Sequence, residues 1–178
     1  MKKRVLCLLA DGFEEIETVT PVDALRRAGV EVVIAALTEK IATGRCGIRL
    51  EADALLADVD TASFDLLLIP GGPGVAALRS DGRPVQLARE FSSSGKTVAA
   101  ICAAPLVLMD AGLLTGRRFT AYQSVRAELG GGLDERVVTD GNLITSRGAG
   151  TALDFSLAIV VSLVSQAAAD QVAQEIMA

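Results

Sequence analysis

Cys102 stands in the stretch Ala99-Ala100-Ile101-Cys102-Ala103-Ala104-Pro105, where an apolar run predicts a buried strand and Ala-Ala-Pro opens a helix. A cysteine at that junction sits on a sharp turn that small neighbours permit, the arrangement of a nucleophile elbow with sulfur in place of a hydroxyl. Free N–H groups and the dipole at the helix start favour the thiolate, and Pro105 falls where no N–H partner is needed. Free cysteine is also a common core residue; its place on the elbow favours an activated thiol.

Two other segments end apolar runs with residues that could assist. In Ile69-Pro70-Gly71-Gly72-Pro73-Gly74, the glycine pair lets the backbone approach a ligand, and its N–H groups, with that of Ala103, could hold an oxyanion. In Ala10-Asp11-Gly12-Phe13-Glu14-Glu15-Ile16-Glu17, the three glutamates suit a solvated helix start. Glu17, however, lies beside Ile16 and Pro21. A carboxyl in an apolar pocket keeps its proton to higher pH and can donate a hydrogen bond or act as general acid or base.

The chain contains no histidine. Ser-His-Asp or Cys-His catalysis within one chain is therefore excluded, and the commonest metal ligand is missing. The three cysteines, Cys7, Cys46 and Cys102, are far apart and form no Cys-x-x-Cys pair, which argues against a zinc ribbon or a disulfide framework and for a reducing compartment. Cys7 reads as inert core and Cys46 as a passive residue near a subunit surface. A net charge of -5 with scattered basic residues argues against nucleic acid as the main partner. The N-terminal apolar run is too short for a signal peptide, and residues 155–169 fit a buried helix better than a membrane span, so a cytoplasmic, non-membrane protein is expected.

The elements that must position these residues follow from periodicity and punctuation. Strands are predicted at 4–10, 30–37, 64–69, 96–101 and 118–121, with an excursion over 41–52 and a hairpin of 137–140 with 143–146 around Gly141-Asn142. A helix is predicted over 14–28 with Ile16, Val19, Val22 and Leu25 on one face. Pro21 either opens it, capped by Thr20 with Asp23 completing a capping box, or kinks a helix already begun at Glu14. Further helices are predicted over 85–93, over 103–110 and, as one long element, from Thr151. With 51% apolar but only 3% aromatic residues, the strands are continuous apolar runs, so one α/β domain over 1–178 is expected, a mainly parallel sheet with helices on both faces. In such a sheet the three loaded segments end on the same side and can share a pocket.

Together with Pro21-Val22-Asp23, Arg26-Arg27-Ala28-Gly29 and Leu143-Ile144-Thr145-Ser146-Arg147-Gly148-Ala149-Gly150-Thr151, these segments make the chain resemble the ThiJ/PfpI superfamily, in the branch of the Parkinson's-disease-associated deglycase and bacterial YajL, from residue 3 to about 165. The resemblance implies a flavodoxin-like three-layer sandwich and a homodimer. It makes Cys102 the nucleophilic, oxidation-sensitive cysteine and Glu17 its protonated partner. Gly71, Gly72 and Ala103 would supply backbone donors, while Arg27, Gly148 and Gly150 complete or support the pocket, with Arg147 a further candidate. The implied activity is that of a glyoxalase or deglycase acting on methylglyoxal, glyoxal or early glycation adducts of proteins, with no metal, glutathione or other cofactor. The alternative is a redox sensor or stress chaperone working through oxidation of Cys102 to the sulfinate. The chain departs from the family pattern at Tyr122, which stands where a histidine is common; a phenol, ordinarily titrating near ~10, is a poor base at neutral pH and argues against peptidase chemistry.

Overall fold

The computed structural model describes residues 2–178. In chain order its elements are β1 (Arg4–Leu9), α1 (Glu15–Arg27), β2 (Glu31–Ala36), the hairpin of β3 (Ile41–Thr43) and β4 (Arg49–Glu51), β5 (Ala54–Leu55), β6 (Leu66–Ile69), α2 (Val75–Asp81), α3 (Arg83–Ser93), β7 (Thr97–Ile101), α4 (Pro105–Asp110), the hairpin of β8 (Val137–Asp140) and β9 (Leu143–Ser146), α5 (Ala152–Leu163) and α6 (Gln166–Glu175). Seven strands form one sheet in the order β5-β2-β1-β6-β7-β9-β8, and every neighbouring pair is parallel except β8 with β9. The separate β3–β4 hairpin is antiparallel.

Strand alternation divides the apolar residues between two layers. From β1, Leu6 and Leu8 pack on the side of α2, α3 and α4, with Leu78, Phe91 and Val107. Val5, Cys7 and Leu9 pack on the other side with Val22 and Leu25 of α1 and Phe155 and Ile159 of α5. Burial of both faces accounts for the unbroken apolar runs. The chain leaves β1 toward β2 and later crosses back to β6 on its other side. The carboxyl ends of β1 and β6 therefore flank a topological switch point, where parallel sheets open a crevice.

Helix α1 settles the alternatives at Pro21. It is one helix that contains Pro21, and its cap is Glu14, whose side chain accepts the Glu17 N–H at 2.8 Å. The expected apolar face is only half right: Val22 and Leu25 are buried, but Ile16 and Val19 are about half exposed, while Glu15, Glu17 and Thr18 turn inward. Residues 118–121 form no strand. The outer edge of β9 is taken by β8, so this segment hangs on the Thr120 N–H to Thr145 Oγ1 and the Leu133 N–H to the Phe119 carbonyl instead. The helix expected from Thr151 is two helices, with Ser165 capping α6 through the Ala168 N–H at 3.1 Å. Helix α2 has no counterpart among the predicted elements, and α4 begins later than predicted, because Cys102 to Ala104 form a turn before Pro105. Among the described residues no helix is long and apolar enough to cross a membrane.

Candidate active site

Strand β7 delivers Cys102 into a left-handed turn, with φ 65. Its backbone is fixed on both sides, because its N–H donates to the Ser146 carbonyl at 2.9 Å and its carbonyl accepts the Tyr122 N–H at 2.9 Å. The side chain is buried, and the N–H groups of Gly72 and Ala103 are directed at the sulfur.

Glu17 reaches the same point from α1. It is 1% exposed. Its Oε2 accepts the Gly71 N–H at 3.1 Å, and it also meets the Ala149 N–H and the Cys102 thiol. Gly71 is therefore committed to Glu17 rather than free to hold an oxyanion, a correction to the expected trio of donors; Gly72 and Ala103 face the sulfur. Both glycines are demanded by space. A Cβ on Gly71 would lie 2.4 Å from Glu17 Oε2, and one on Gly72, already at φ 96, would lie 2.4 Å from the Gly12 carbonyl oxygen.

Burial pushes the Glu17 carboxyl up to about 7, and the nearby charge of Glu14 pushes the same way, against the hydrogen bonds from Cys102, Gly71 and Ala149. Burial also pushes the Cys102 thiol up, an ionised Glu17 pushes it further, and the Gly72 and Ala103 N–H groups oppose both. Two buried acids in contact hold one negative charge between them and titrate as a pair. Sγ and the carboxyl are in direct hydrogen-bonding contact, with no third group between them. This differs from the expected standing thiolate at a helix start, since α4 is short and begins beyond the cysteine. Burial pushes the thiols of Cys7 and Cys102 alike up to about 12; they differ in their surroundings, since Cys7 is fully enclosed in β1 while Cys102 meets Glu17 and lines the cavity.

The pair opens into a cavity of about 610 Å³, whose lining includes Glu14, Tyr122, Gly148 and Gly150. Glu14 serves there as the α1 cap and as a charge beside Glu17. Gly148 leaves room between Tyr122 and Glu17, since a Cβ on it would lie 3.4 Å from the Tyr122 ring and 3.6 Å from Glu17 Oε1. Tyr122 is half exposed, a wall of the cavity rather than a partner of the sulfur.

The profile of the DJ-1/PfpI family matches residues 3–162. The chain belongs to the DJ-1/PfpI family. It is 39% identical over 184 residues to the Drosophila melanogaster protein DJ-1beta, covering 99% of this chain and 98% of that one. It is 35% identical to the deglycase PfpI of Pyrococcus furiosus, over 81% of this chain and 89% of the relative. Among solved structures, an oxidized Toxoplasma gondii DJ-1 superposes with a TM-score of 0.93 at 33% identity, covering 98% of both chains. The fold is thus the α/β flavodoxin-like layout of the DJ-1/PfpI family.

One residue expected to support the pocket does not reach it. Arg27 lies at the far end of α1, ten residues or about 15 Å along the axis from Glu17. It is exposed and pairs with Asp23 at 2.8 Å. Arg147 does line the cavity, together with Arg45, Arg126, Asp134 and Arg136, which are not among the residues expected there. No local pattern marks them, because the fold gathers them from separate loops. Glu15, within the acidic run, is no solvated helix start: it ties the hairpin loop to α1 by accepting the Cys46 and Ile48 N–H groups at 2.8 and 3.4 Å.

Proposed function

We propose that this chain is a cysteine-dependent enzyme of the glyoxalase or deglycase type, acting on methylglyoxal, glyoxal or early glycation adducts without metal or glutathione. The carrying observation is the contact between Cys102 and a buried carboxyl whose titration is raised to about 7, close to the working pH that suits a general base. As Sγ attacks the aldehyde carbon of methylglyoxal, ionised Glu17 takes the thiol proton and delivers it to the developing alkoxide, so a neutral hemithioacetal forms and the carboxylate is free again. Glu17 then takes the hydrogen from that carbon as a proton and returns one to the neighbouring carbon, so the aldehyde carbon is oxidised and the ketone carbon reduced. The resulting thioester is hydrolysed to lactate, and the thiol is restored. The Gly72 and Ala103 N–H groups, already turned to the sulfur, are near the oxygen that develops charge. The deglycase name of an archaeal relative supports the same class of carbonyl chemistry. Lactate formation from methylglyoxal is expected in the purified protein, lost in Cys102→Ala and reduced about 100-fold in Glu17→Gln; inactive wild-type protein overturns the proposal.

A second reading is favoured by the same two N–H groups, which would also receive the oxygens of a sulfinate. Two equivalents of peroxide would convert the Cys102 thiol to sulfinate and release two waters. Intact mass after mild peroxide should then show two added oxygens on Cys102; oxidation spread equally over Cys46 and Cys102 counts against a sensor.

We further propose that the chain works as a homodimer. Ile16 and Val19 on α1 and Ile48 on the hairpin loop expose 52%, 49% and 59% of their surface, and Glu15 holds that loop beside Ile16. Light scattering should give twice the chain mass, falling to one chain mass in Ile16→Glu/Ile48→Glu.

A further inference from the structure

Arg45, Arg126, Arg136 and Arg147 all line the cavity above Cys102, and the reaction proposed above uses none of them. Two are tied by the same carboxylate. Asp134 accepts from Arg126 at 3.3 Å and from Arg147 at 3.1 Å. Arg136 is held apart from them by Asp154 at 2.5 Å and by the Gly150 carbonyl, and among the described residues Arg45 has no carboxylate partner.

The bridge is unequal. The side chains of Arg126 and Arg147 are 23% and 35% exposed, whereas that of Asp134 is 80% exposed. Arg126 is set in place by a further bond from its Nε to the Ala121 carbonyl at 3.1 Å. The backbone before Asp134 is anchored by the Leu133 N–H to the Phe119 carbonyl at 2.8 Å, but among the described residues the Asp134 side chain is bonded only to the two arginines. The guanidiniums are the built part of this arrangement, and the carboxylate is a loosely held occupant. An aspartate so exposed gains little from its ion pairs, so an incoming oxyanion that is better placed can take them over with bidentate geometry.

We propose that the site prefers carbonyl compounds carrying an anionic oxyanion group, with Arg126 and Arg147 receiving that group and Asp134 holding its place until substrate arrives. The proposal rests on the reading of Cys102 as a carbonyl-binding thiol. It names the substrate's second feature: an aldehyde at one end for Sγ and a phosphate or carboxylate at the other for the two arginines.

The test measures protection of Cys102 from iodoacetamide, read on its peptide by mass, with glyceraldehyde 3-phosphate against glyceraldehyde and succinic semialdehyde against butanal. The anionic member of each pair should protect at about tenfold lower concentration. That ratio should fall toward one in Arg126→Ala/Arg147→Ala and in 0.5 M salt. In Asp134→Asn it should rise a few-fold, an opposite change that a merely misfolded variant would not give. An advantage for the phosphate alone fixes that oxyanion as the recognised group, and one for the carboxylate alone fixes the other. Equal protection within both pairs overturns the anion preference while leaving the carbonyl chemistry standing. Protection by no aldehyde at all overturns the carbonyl chemistry, and the preference with it.

Discussion

The Gly71 N–H donates to Glu17 Oε2 at 3.1 Å, so the turn after β6 holds the carboxyl of α1 against the cysteine that follows β7. The contact leaves no room. A methyl group on Gly71 would lie 2.4 Å from Glu17 Oε2, 2.5 Å from Cys102 Cβ and 2.9 Å from the Ile101 carbonyl oxygen. Gly71→Ala is expected to lower stability by about 1–3 kcal/mol through overpacking. It should also cut methylglyoxal turnover by about 100-fold, because it pushes apart the two groups whose contact the chemistry uses. Denaturant unfolding and lactate release measure the two effects. A fully active Gly71→Ala would show that Glu17 need not be held where it is.

The shared proton gives the thiol an unusual pH profile. With burial raising Glu17 to about 7, the first charge on the pair forms near neutrality, and the proton can sit on the carboxyl while sulfur reacts. Alkylation of Cys102 should therefore rise through an apparent value near 7 instead of the thiol's ordinary range. In Glu17→Gln no carboxylate can take the thiol proton, and burial holds the sulfur protonated. Its alkylation at pH 7 should fall by about tenfold or more. Peptide-resolved alkylation rates between pH 5 and 10 provide the check, and equal rates in the two proteins would remove Glu17 from that role.

The same raised carboxyl leaves a signature in stability. Glu17 is 1% exposed, and its proton is held in the folded protein up to about 7, whereas the unfolded chain releases it near ~4.3. A folded value above the unfolded one contributes stability that is fully present below the lower value and lost as pH rises through the higher. Glu17→Gln, which cannot ionise, should therefore gain on the wild type between pH 4.5 and 8, by about 3 kcal/mol in all. Urea unfolding of both proteins at pH 5 and at pH 8 measures the change. A difference that does not vary with pH would mean that the folded carboxyl titrates normally.

How far the site could be read from the sequence depends on how local each signal was. The elbow at Cys102 is local: an apolar run, then Ala-Ala-Pro, and the strand and turn formed there. The mainly parallel sheet covered on both faces followed from the same apolar runs, whereas its strand order is set by tertiary packing. The inward face of α1 was not local. Ile16 and Val19 have the right spacing for a core stripe, but the helix lies on the sheet by Thr18, Val22 and Leu25. That rotation carries Glu17 inward and leaves two β-branched residues outside, which only tertiary packing decides. The short strand expected at 118–121 failed because β8 occupies the edge it would have needed. The arginines around the cavity range from Arg45 to Arg147, with no spacing that could announce them.

Cys102 pays for its position in backbone strain. Its φ of 65 lies in the left-handed region, which costs an L-residue about 1–2 kcal/mol relative to ordinary conformations. The bonds to Ser146 and from Tyr122, each 2.9 Å, hold it there. Glycine adopts this conformation freely, although it loses more entropy on folding. Cys102→Gly should therefore be more stable than Cys102→Ala, by roughly 0.5–1 kcal/mol after the entropy loss is set against the relief. Both variants lack the sulfur and should be equally inactive toward methylglyoxal, so the comparison isolates the backbone. Thermal and urea unfolding of the two give the answer. If Cys102→Ala were the more stable, the turn would hold no strain, and the preference for cysteine over glycine at this elbow would carry no stability cost.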